Sequence, residues 1–570
     1  MRPLDWLVLI GSIVSIVIYG VWKGRGSKNI KGYLLSNNDM RWYTIALSIM
    51  ATQASAITFL STPGQAYVDG MSFVQFYLGL PIAMVILSVT AVPLYHKLKV
   101  YTAYEYLESK FDLKTRALAA ILFLIQRGLA AGLTIYAPSI ILSVLLGWNI
   151  YWTNLIIGGL VIIYTASGGS KAVGWTQFQQ MIIITLGMAS AFFMIIHLIP
   201  HDVSFVDSVK VAGKLGKLNA IDFSFNLDNK YSFWSGIIGG LFLQMSYFGT
   251  DQSQVQRYLT GESVTQSRLG LLTNGLVKVP MQFGILFIGA MLFVFYQFTA
   301  PPLYFNPVET AKVKQSAYSG DYQRLEDRYK ELFSTKKLQL NNLVSAMDDN
   351  ANANNTDKIE AELQSTREEI KGIRESAVDL IKKADPSSDG NDTNYIFLSF
   401  VLAFLPAGVV GLVLAAVLAA SMSSTSSEIN SLASTSIIDI YKRMIKKEAS
   451  DRHYLIVSKL ATVFWGLFAI AFAEFASNLG SLIEAVNILG SLFYGTILGI
   501  FLLAFYFKKV TGTATFYAAL IAEVGVLYCY FFTEISFLWY NVVGCCLVII
   551  IALLFSRFMG NEKEEAVSAA

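Results

Sequence analysis

Long apolar runs separated by short polar connections fill almost the whole chain. Thirteen of them reach or approach the ~20 residues an α-helix needs to cross a bilayer. They lie at about 4–21, 42–63, 73–94, 113–145, 151–166, 175–199, 234–256, 269–296, 395–425, 454–475, 482–507, 514–532 and 535–555. The backbone of such runs must satisfy its own hydrogen bonds in lipid, which predicts helices throughout. The first run lacks a basic leader and a small-residue cleavage site, so it reads as a retained helix rather than a signal peptide. Two polar stretches interrupt the pattern, 200–233 and 301–394. In the second, Leu325, Tyr329, Leu332, Leu340, Leu343 and Met347 precede a polar turn at 350–356. Ile359, Leu363, Ile370, Ile373, Ala377 and Leu380 then follow at three- and four-residue steps. That spacing predicts a charged helical hairpin, either a solvated appendage or a device that captures a partner or substrate.

Composition agrees with a membrane chain. Of 570 residues 54% are hydrophobic and 15% charged, against about a quarter charged in soluble domains. A formal charge of +3 gives no support for nucleic-acid binding, and three cysteines in apolar stretches support neither a disulfide framework nor a zinc site. Basic residues collect in alternate short connections: Lys23, Arg25, Lys28, Lys31 and Arg41; Lys97, Lys99, Lys110, Lys114 and Arg116; Arg257 and Arg268; Lys442, Arg443, Lys446 and Lys447; Lys508 and Lys509. The positive-inside rule then puts the amino terminus outside and the carboxyl terminus in the cytoplasm, as an odd number of spans requires. The expected location is the plasma (inner) membrane, as a monomer or weak dimer.

The four histidines fall at span ends or in loops, and no nucleophile–base pair stands out, so an enzyme has no support in the residues. The informative positions are polar groups inside apolar spans, where unsatisfied groups are expensive. Residues 48–58 are small and polar, with Pro63-Gly64 following. Such a stretch marks either an interrupted helix whose freed carbonyls hold an ion or a close helix contact. Residues 415–428 carry a serine cluster in which Ala420, Ser423 and Ser424 share one helix face. Their oxygens suit a hard cation such as Na⁺, or the hydroxyls bond back to their own helix. A third span breaks into polar sequence at Gly249-Thr250-Asp251-Gln252, and Arg127 and Lys278 are charges within spans. Each can meet a substrate anion or cap backbone carbonyls.

With these residues the chain resembles the sodium:solute symporter family over nearly all its length outside 301–394. The resemblance rests on Gly32-Tyr33-Leu34-Leu35 before Trp42, Asp251-Gln252 with Val255-Gln256-Arg257, and the serine-rich helix with Asn430-Ser431 and Asp439-Ile440-Tyr441-Lys442. Ser61-Thr62-Pro63-Gly64, residues 104–108 and Ile135-Tyr136-Ala137-Pro138 look closest to the sodium/iodide, monocarboxylate and multivitamin branch. The resemblance implies an all-α polytopic membrane protein of about thirteen transmembrane helices around a five-plus-five inverted-repeat core. A leading helix occupies 1–24, the repeats 42–199 and 234–507, the extracytoplasmic insert 301–394, two further helices 511–557 and a cytoplasmic tail 558–570. It also implies a Na⁺ site on the carbonyls of Ala51, Ala54 and Ala420 and the hydroxyls of Ser423 and Ser424. Substrate-facing positions transfer to Gln53, Thr58, Tyr77, Gln244, Tyr247, Lys278 and Asn487, with Tyr247 as an inner gate; Arg127 joins them as an intramembrane cation.

Two departures sharpen the expectation. Relatives read Trp-Thr-Asp where this chain has Trp175-Thr176-Gln177, while Glu428 stands one turn past Ser424 at a usually small position. Glu428 is therefore expected to replace the missing acid near the inner end of the sodium pathway. Tyr77 and Leu80 also stand where sugar carriers use acidic and hydroxyl groups, which removes hydrogen bonds a polyol needs. The expected activity is Na⁺-coupled import of a small organic anion such as a monocarboxylate by alternating access. Sugar symport, a receptor using the hairpin, an ion channel, and proton coupling through Glu484 or Glu523 are the alternatives.

Overall fold

The computed structural model describes residues 1–24, 34–200, 203–348, 353–386, 388, 390–476 and 479–558. The basic residues at 25–31, Gly32-Tyr33, the 350–352 portion of the hairpin turn and the tail beyond 558 lie outside them. Every regular element is a helix among the described residues. In chain order these are α1 (Pro3–Gly24), α2 (Trp42–Gln53), α3 (Ala56–Asp69), α4 (Leu80–Val89), α5 (Ala91–Leu98), α6 (Tyr104–Lys110) and α7 (Leu113–Leu146). Next come α8 (Ile150–Leu198), α9 (Phe205–Lys214), α10 (Gly240–Gly249), α11 (Gln252–Leu259), α12 (Val264–Phe298), α13 (Pro307–Lys314), α14 (Ser319–Asp348) and α15 (Ala353–Ala384). The chain closes with α16 (Ile396–Phe404), α17 (Val409–Thr435), α18 (Asp451–Ala473), α19 (Leu482–Tyr506), α20 (Gly512–Phe532) and α21 (Phe537–Phe558).

Local chemistry sets several of these boundaries. Asp112 caps α7 by accepting from the Thr115 amide at 2.9 Å, and Gly147 ends it at φ +66°. Ser263 caps α12 and Ser450 caps α18 in the same way, each accepting from a first-turn amide.

α8 needs a closer look, because 49 residues at 1.5 Å each would extend about 74 Å, over twice the bilayer core. Its two halves pack in opposite directions. Arg127 and Thr134 of α7 meet Glu428 and Ser421, so α7 and α17 are antiparallel. Gly128 and Gly132 lie against Trp465 and Phe472, so α7 and α18 are parallel. Gly158 then abuts Ile470, and Ile162 abuts Gly466, which runs this half of α8 against α18. Gln177 bonds Ser427 and Gly187 abuts Ala416, which runs the other half against α17. The two halves therefore have different partners, and they carry separate apolar stretches, 150–163 and 176–198.

Two expected boundaries move. The span expected at 395–425 is instead a short α16, a break containing Pro406 and Gly408 (φ +87°), and a crossing that starts at Val409 and continues as π-helix to Ile445. Hydropathy underrates residues 421–435 because their hydroxyls are buried in protein and bond back to preceding carbonyls, as Ser426, Ser431 and Ser434 do. Pro63 sits inside α3; the break falls earlier, at Ala54-Ser55.

The broken helix pair α2/α3 has a counterpart in α10/α11, which breaks at Thr250-Asp251. The two lie antiparallel. Met40, before α2, exchanges backbone hydrogen bonds with Thr260 and Glu262 after α11 (both 3.1 Å), while Gln75, after α3, packs on Gly236 before α10. Among the described residues nine helices are long and apolar enough to cross a membrane, with shorter apolar helices at Pro3–Tyr19, Ile150–Ile163 and Thr393–Phe404. The hairpin α14/α15 stands on the face where α3 ends. It is closed by Tyr322, Tyr329, Ala377 and Ile381 in one small core, with Leu340, Leu343 and Leu363 buried beyond.

Candidate functional site

Ending α2 at Gln53 changes the hydrogen bonding of four residues. The Ser55 amide, which a continuing helix would aim at the Ala51 carbonyl, bonds Gln53 O at 3.1 Å, and the Thr58 amide bonds Ser55 O at 3.0 Å rather than Ala54 O. The Ala51 and Ala54 carbonyls are thus released in the protein interior, where an unpaired carbonyl is costly. Ala51 O instead accepts from Ser423 Oγ of α17 at 3.2 Å. Two residues 372 positions apart in the chain thereby place their oxygens edge to edge. Ser424 Oγ bonds back to Ala420 O at 2.7 Å on the same buried face. All five expected cation residues are buried.

Gln177 lies beside that cluster. Its Nε2 donates to Thr52 Oγ1 (3.1 Å) and Ser427 Oγ (3.0 Å), and its Oε1 accepts from the Ser48 hydroxyl. Glu428 does not join it, contrary to the expected relocation. One residue on a helix turns the side chain by about 100°, so Ser427 faces α2 and α8 while Glu428 faces α7 with Ser421 and Thr425. Glu428 Oε2 accepts from Thr134 Oγ1 at 2.8 Å, and Oε1 from Arg127 Nη1 at 3.1 Å. Its carboxylate belongs to a cavity wall, and it is 4% exposed.

That cavity, of about 80 Å³, is lined by seven of the eight expected substrate positions: Gln53, Thr58, Tyr77, Arg127, Gln244, Tyr247 and Asn487. Lys278 is not on its surface. It lies fully buried behind Tyr77, 5.8 Å from the ring centroid, with no hydrogen bond to its ammonium among the described residues. Arg127 is heavily engaged: Nε donates to Asp251 Oδ2 at 3.1 Å, Nη2 reaches Asp251 and Tyr494, and Nη1 holds Glu428. Tyr494 OH donates to Asp251 at 2.9 Å, and Tyr247 stacks 5.3 Å from the guanidinium while accepting from Gln254 at 2.7 Å. The wall also carries a surplus of unmet polar atoms: Gln53 Oε1, Gln126 Oε1, both amide atoms of Gln244, and Asn487 Nδ2. Buried amides are nearly always satisfied, so a set of them around one cavity implies a polar guest.

Sequence reasoning missed Asp251, Thr134, Gln126 and Tyr494 as cavity or network residues. Asp251 stood in a motif the resemblance used, so a signal existed. Tyr494 sits in an apolar helix and carried none.

The sequence profile of the Sodium:solute symporter family matches residues 33–317 and 383–522, leaving out most of the hairpin. The sodium/sialic acid symporter SiaT of Proteus mirabilis (strain HI4320) is 24% identical across 98% of this chain and 96% of its own. Sodium-coupled monocarboxylate transporter 1 of Mus musculus is 27% identical across 87% of this chain and 68% of its own. Among solved structures, the substrate-bound outward-open state of a Na⁺-coupled sialic acid symporter superposes with a TM-score of 0.75 at 22% identity, covering 98% of this chain and 99% of that one. The chain therefore has the inverted-repeat transporter fold and belongs to the sodium:solute symporter family, multi-pass membrane proteins that couple solute movement to Na⁺.

Proposed function

We propose that the protein imports a small organic anion of the monocarboxylate class together with Na⁺ by alternating access. The observation that carries this reading is the central cavity, with its orphaned amides and the unpaired Lys278 ammonium behind Tyr77. At about 80 Å³ it is roughly half the ~150 Å³ that admits a benzene molecule, which favours a solute of two to four carbons over a pyranose. Arg127 already faces two carboxylates, so Lys278 is the cation with charge to spare.

Na⁺ is the co-substrate. A cation of its size sits about 2.3–2.6 Å from oxygen ligands, so two oxygens 3.2 Å apart subtend about 76–88° at the ion, the edge of an ordinary coordination polyhedron. Ala51 and Ser423 supply that edge, with Ala54, Ala420 and Ser424 completing the ligand set. Binding there joins the α2/α3 break to α17, one element from each repeat, and so couples the ion to the rocking of one repeat against the other. The membrane potential contributes about 2.3 kcal/mol per charge per 100 mV. Tyr247, near the end of α10 away from the hairpin, serves as the gate toward that face.

Orientation follows the positive-inside rule. The face opposite the hairpin carries Lys97, Lys110, Lys114, Lys442, Lys508 and Lys509 and is read as cytoplasmic, with the start of α1 outside. Uptake of radiolabelled acetate, lactate, pyruvate, glucose and alanine into proteoliposomes, with and without an inward Na⁺ gradient, tests the proposal. Saturable, Na⁺-dependent uptake of one or more of the acids is expected. Preferential glucose uptake, or acid uptake indifferent to Na⁺, would refute it.

A further inference from the structure

Between the hairpin and the ends of α3 and α12 lies an open chamber of about 840 Å³. It is separate from the transport cavity: Tyr67, in its wall, is nine residues or about 14 Å of helix beyond Thr58. Arg367, Lys371 and Arg374 project into it from one face of α15 at helical spacing, Lys336 enters from α14, and Lys217 from the segment after α9. Carboxylates account for only part of this charge. Asp392 pairs with Arg374 at 2.9 Å, Glu375 stands 3.8 Å from Lys371, and Asp379 lies at the rim.

Three cations have no carboxylate within ion-pair distance among the described residues. Lys336 is 6% exposed, its ammonium 4.6 Å from the Phe333 ring centroid. Lys217 donates to the Val68 carbonyl and stands 4.7 Å over Phe293. Arg367 lies 5.9 Å over that same ring and donates to Gln364 Oε1 at 3.4 Å. Two cations sharing one aromatic ring, with a buried third nearby, make a concentration of positive charge that aromatic contacts alone offset poorly.

We propose that this chamber binds a small oxyanion of two or more negative charges, which ties the hairpin to the transporter core. Its cations come from three separate elements, α14, α15 and the segment after α9, so one anion bridging them holds the hairpin down. Burial, with repulsion from Arg367 and Arg374, depresses Lys336 to about 7. Burial and Arg367, partly opposed by Asp69, depress Lys217 to about 8. Both ammonium groups are charged below those values and neutral above them. Affinity for an anion of fixed charge therefore falls as pH rises from 6 to 9.

The test uses full-length purified protein and sulfate, whose charge is constant over that range. Sulfate is expected to raise the melting temperature saturably at constant ionic strength set with chloride. In Lys336→Met/Arg367→Gln the apparent Kd rises at least tenfold, while the ligand-free variant melts at or above the parent because repulsion is relieved. Na⁺-driven uptake persists in this variant, since neither residue lines the transport cavity. A short-chain phosphatidic acid provides the second arm: tighter binding of sulfate assigns the site to a soluble oxyanion, and tighter binding of the lipid to a headgroup phosphate. A sulfate shift equal in the variant, a shift reproduced by chloride alone, or binding of neither probe overturns the proposal.

Discussion

Replacing Ser423 with alanine removes the side-chain oxygen that faces the freed Ala51 carbonyl, 3.2 Å away. No charge is altered and only a buried hydroxyl is lost, so the fold should persist. Without the ion, the loss is one neutral hydrogen bond, about 1 kcal/mol, together with an unsatisfied carbonyl. With the ion, the loss is one oxygen ligand of a cation; interactions with charged groups run at about 1.5–3 kcal/mol. At 1.4 kcal/mol per decade, the half-saturating Na⁺ concentration should rise about tenfold to a hundredfold. Linkage requires solute affinity, measured at fixed subsaturating Na⁺, to fall with it and to recover as Na⁺ is raised. The assay is initial-rate uptake in proteoliposomes across a Na⁺ series, beside Ser423→Thr, which keeps a hydroxyl and should retain most of the affinity. An unchanged Na⁺ dependence in the alanine variant, in protein that still transports, would refute the shared ion between α2 and α17.

Other residues give distinct signatures. Lys278→Met should raise the KM for a monocarboxylate at least tenfold yet increase thermal stability by about 1–3 kcal/mol, because a buried unpaired ammonium is removed; parallel uptake and melting measurements decide, and a matched loss of both would count against it. Glu428→Gln frees Arg127 of one of its two carboxylates, so the KM for an organic anion should fall several-fold with little change in Na⁺ affinity; a change confined to Na⁺ affinity would restore the sodium-pathway role. On the face opposite the hairpin, Arg116 bonds buried Asp439 at 2.7 Å and Glu108 at 2.7 Å, while Arg443, with a side chain 44% exposed, also reaches Glu108. Arg116→Ala should therefore cost about 3–5 kcal/mol and Arg443→Ala less than about 1 kcal/mol; equal effects in a denaturation series would contradict the burial argument.

Much of the membrane architecture was legible because the bilayer imposes a local rule. Each span must be apolar over its own length, so the nine long apolar helices and the shorter apolar stretches beside them, including the two halves of α8, could be read from hydropathy. The rule fails where polarity is buried in protein: the hydroxyls of 421–435 made a membrane crossing look like its end, and α16 was absorbed into it. The helix break at Ala54-Ser55 was legible as small and polar sequence, but its exact place was not, since Pro63 looked the stronger breaker and fits inside α3.

By itself, the amino-acid order determined what is short-ranged: helices of membrane length, Ala420, Ser423 and Ser424 on one helix face, a striped hairpin, and the motifs that mark the family. Only the tertiary structure decided which distant groups neutralise one another. Arg127 meets Asp251 and Glu428 across 124 and 301 residues, Lys278 is left without a hydrogen-bond partner among the described residues behind Tyr77, and the hairpin brings Arg367 against Phe293. The reason is physical. Helix formation and membrane insertion depend on neighbours a few residues away, whereas the electrostatic state of a buried group depends on which helix packs against it, and a 100° turn from Ser427 to Glu428 is enough to move a carboxylate from one site to another.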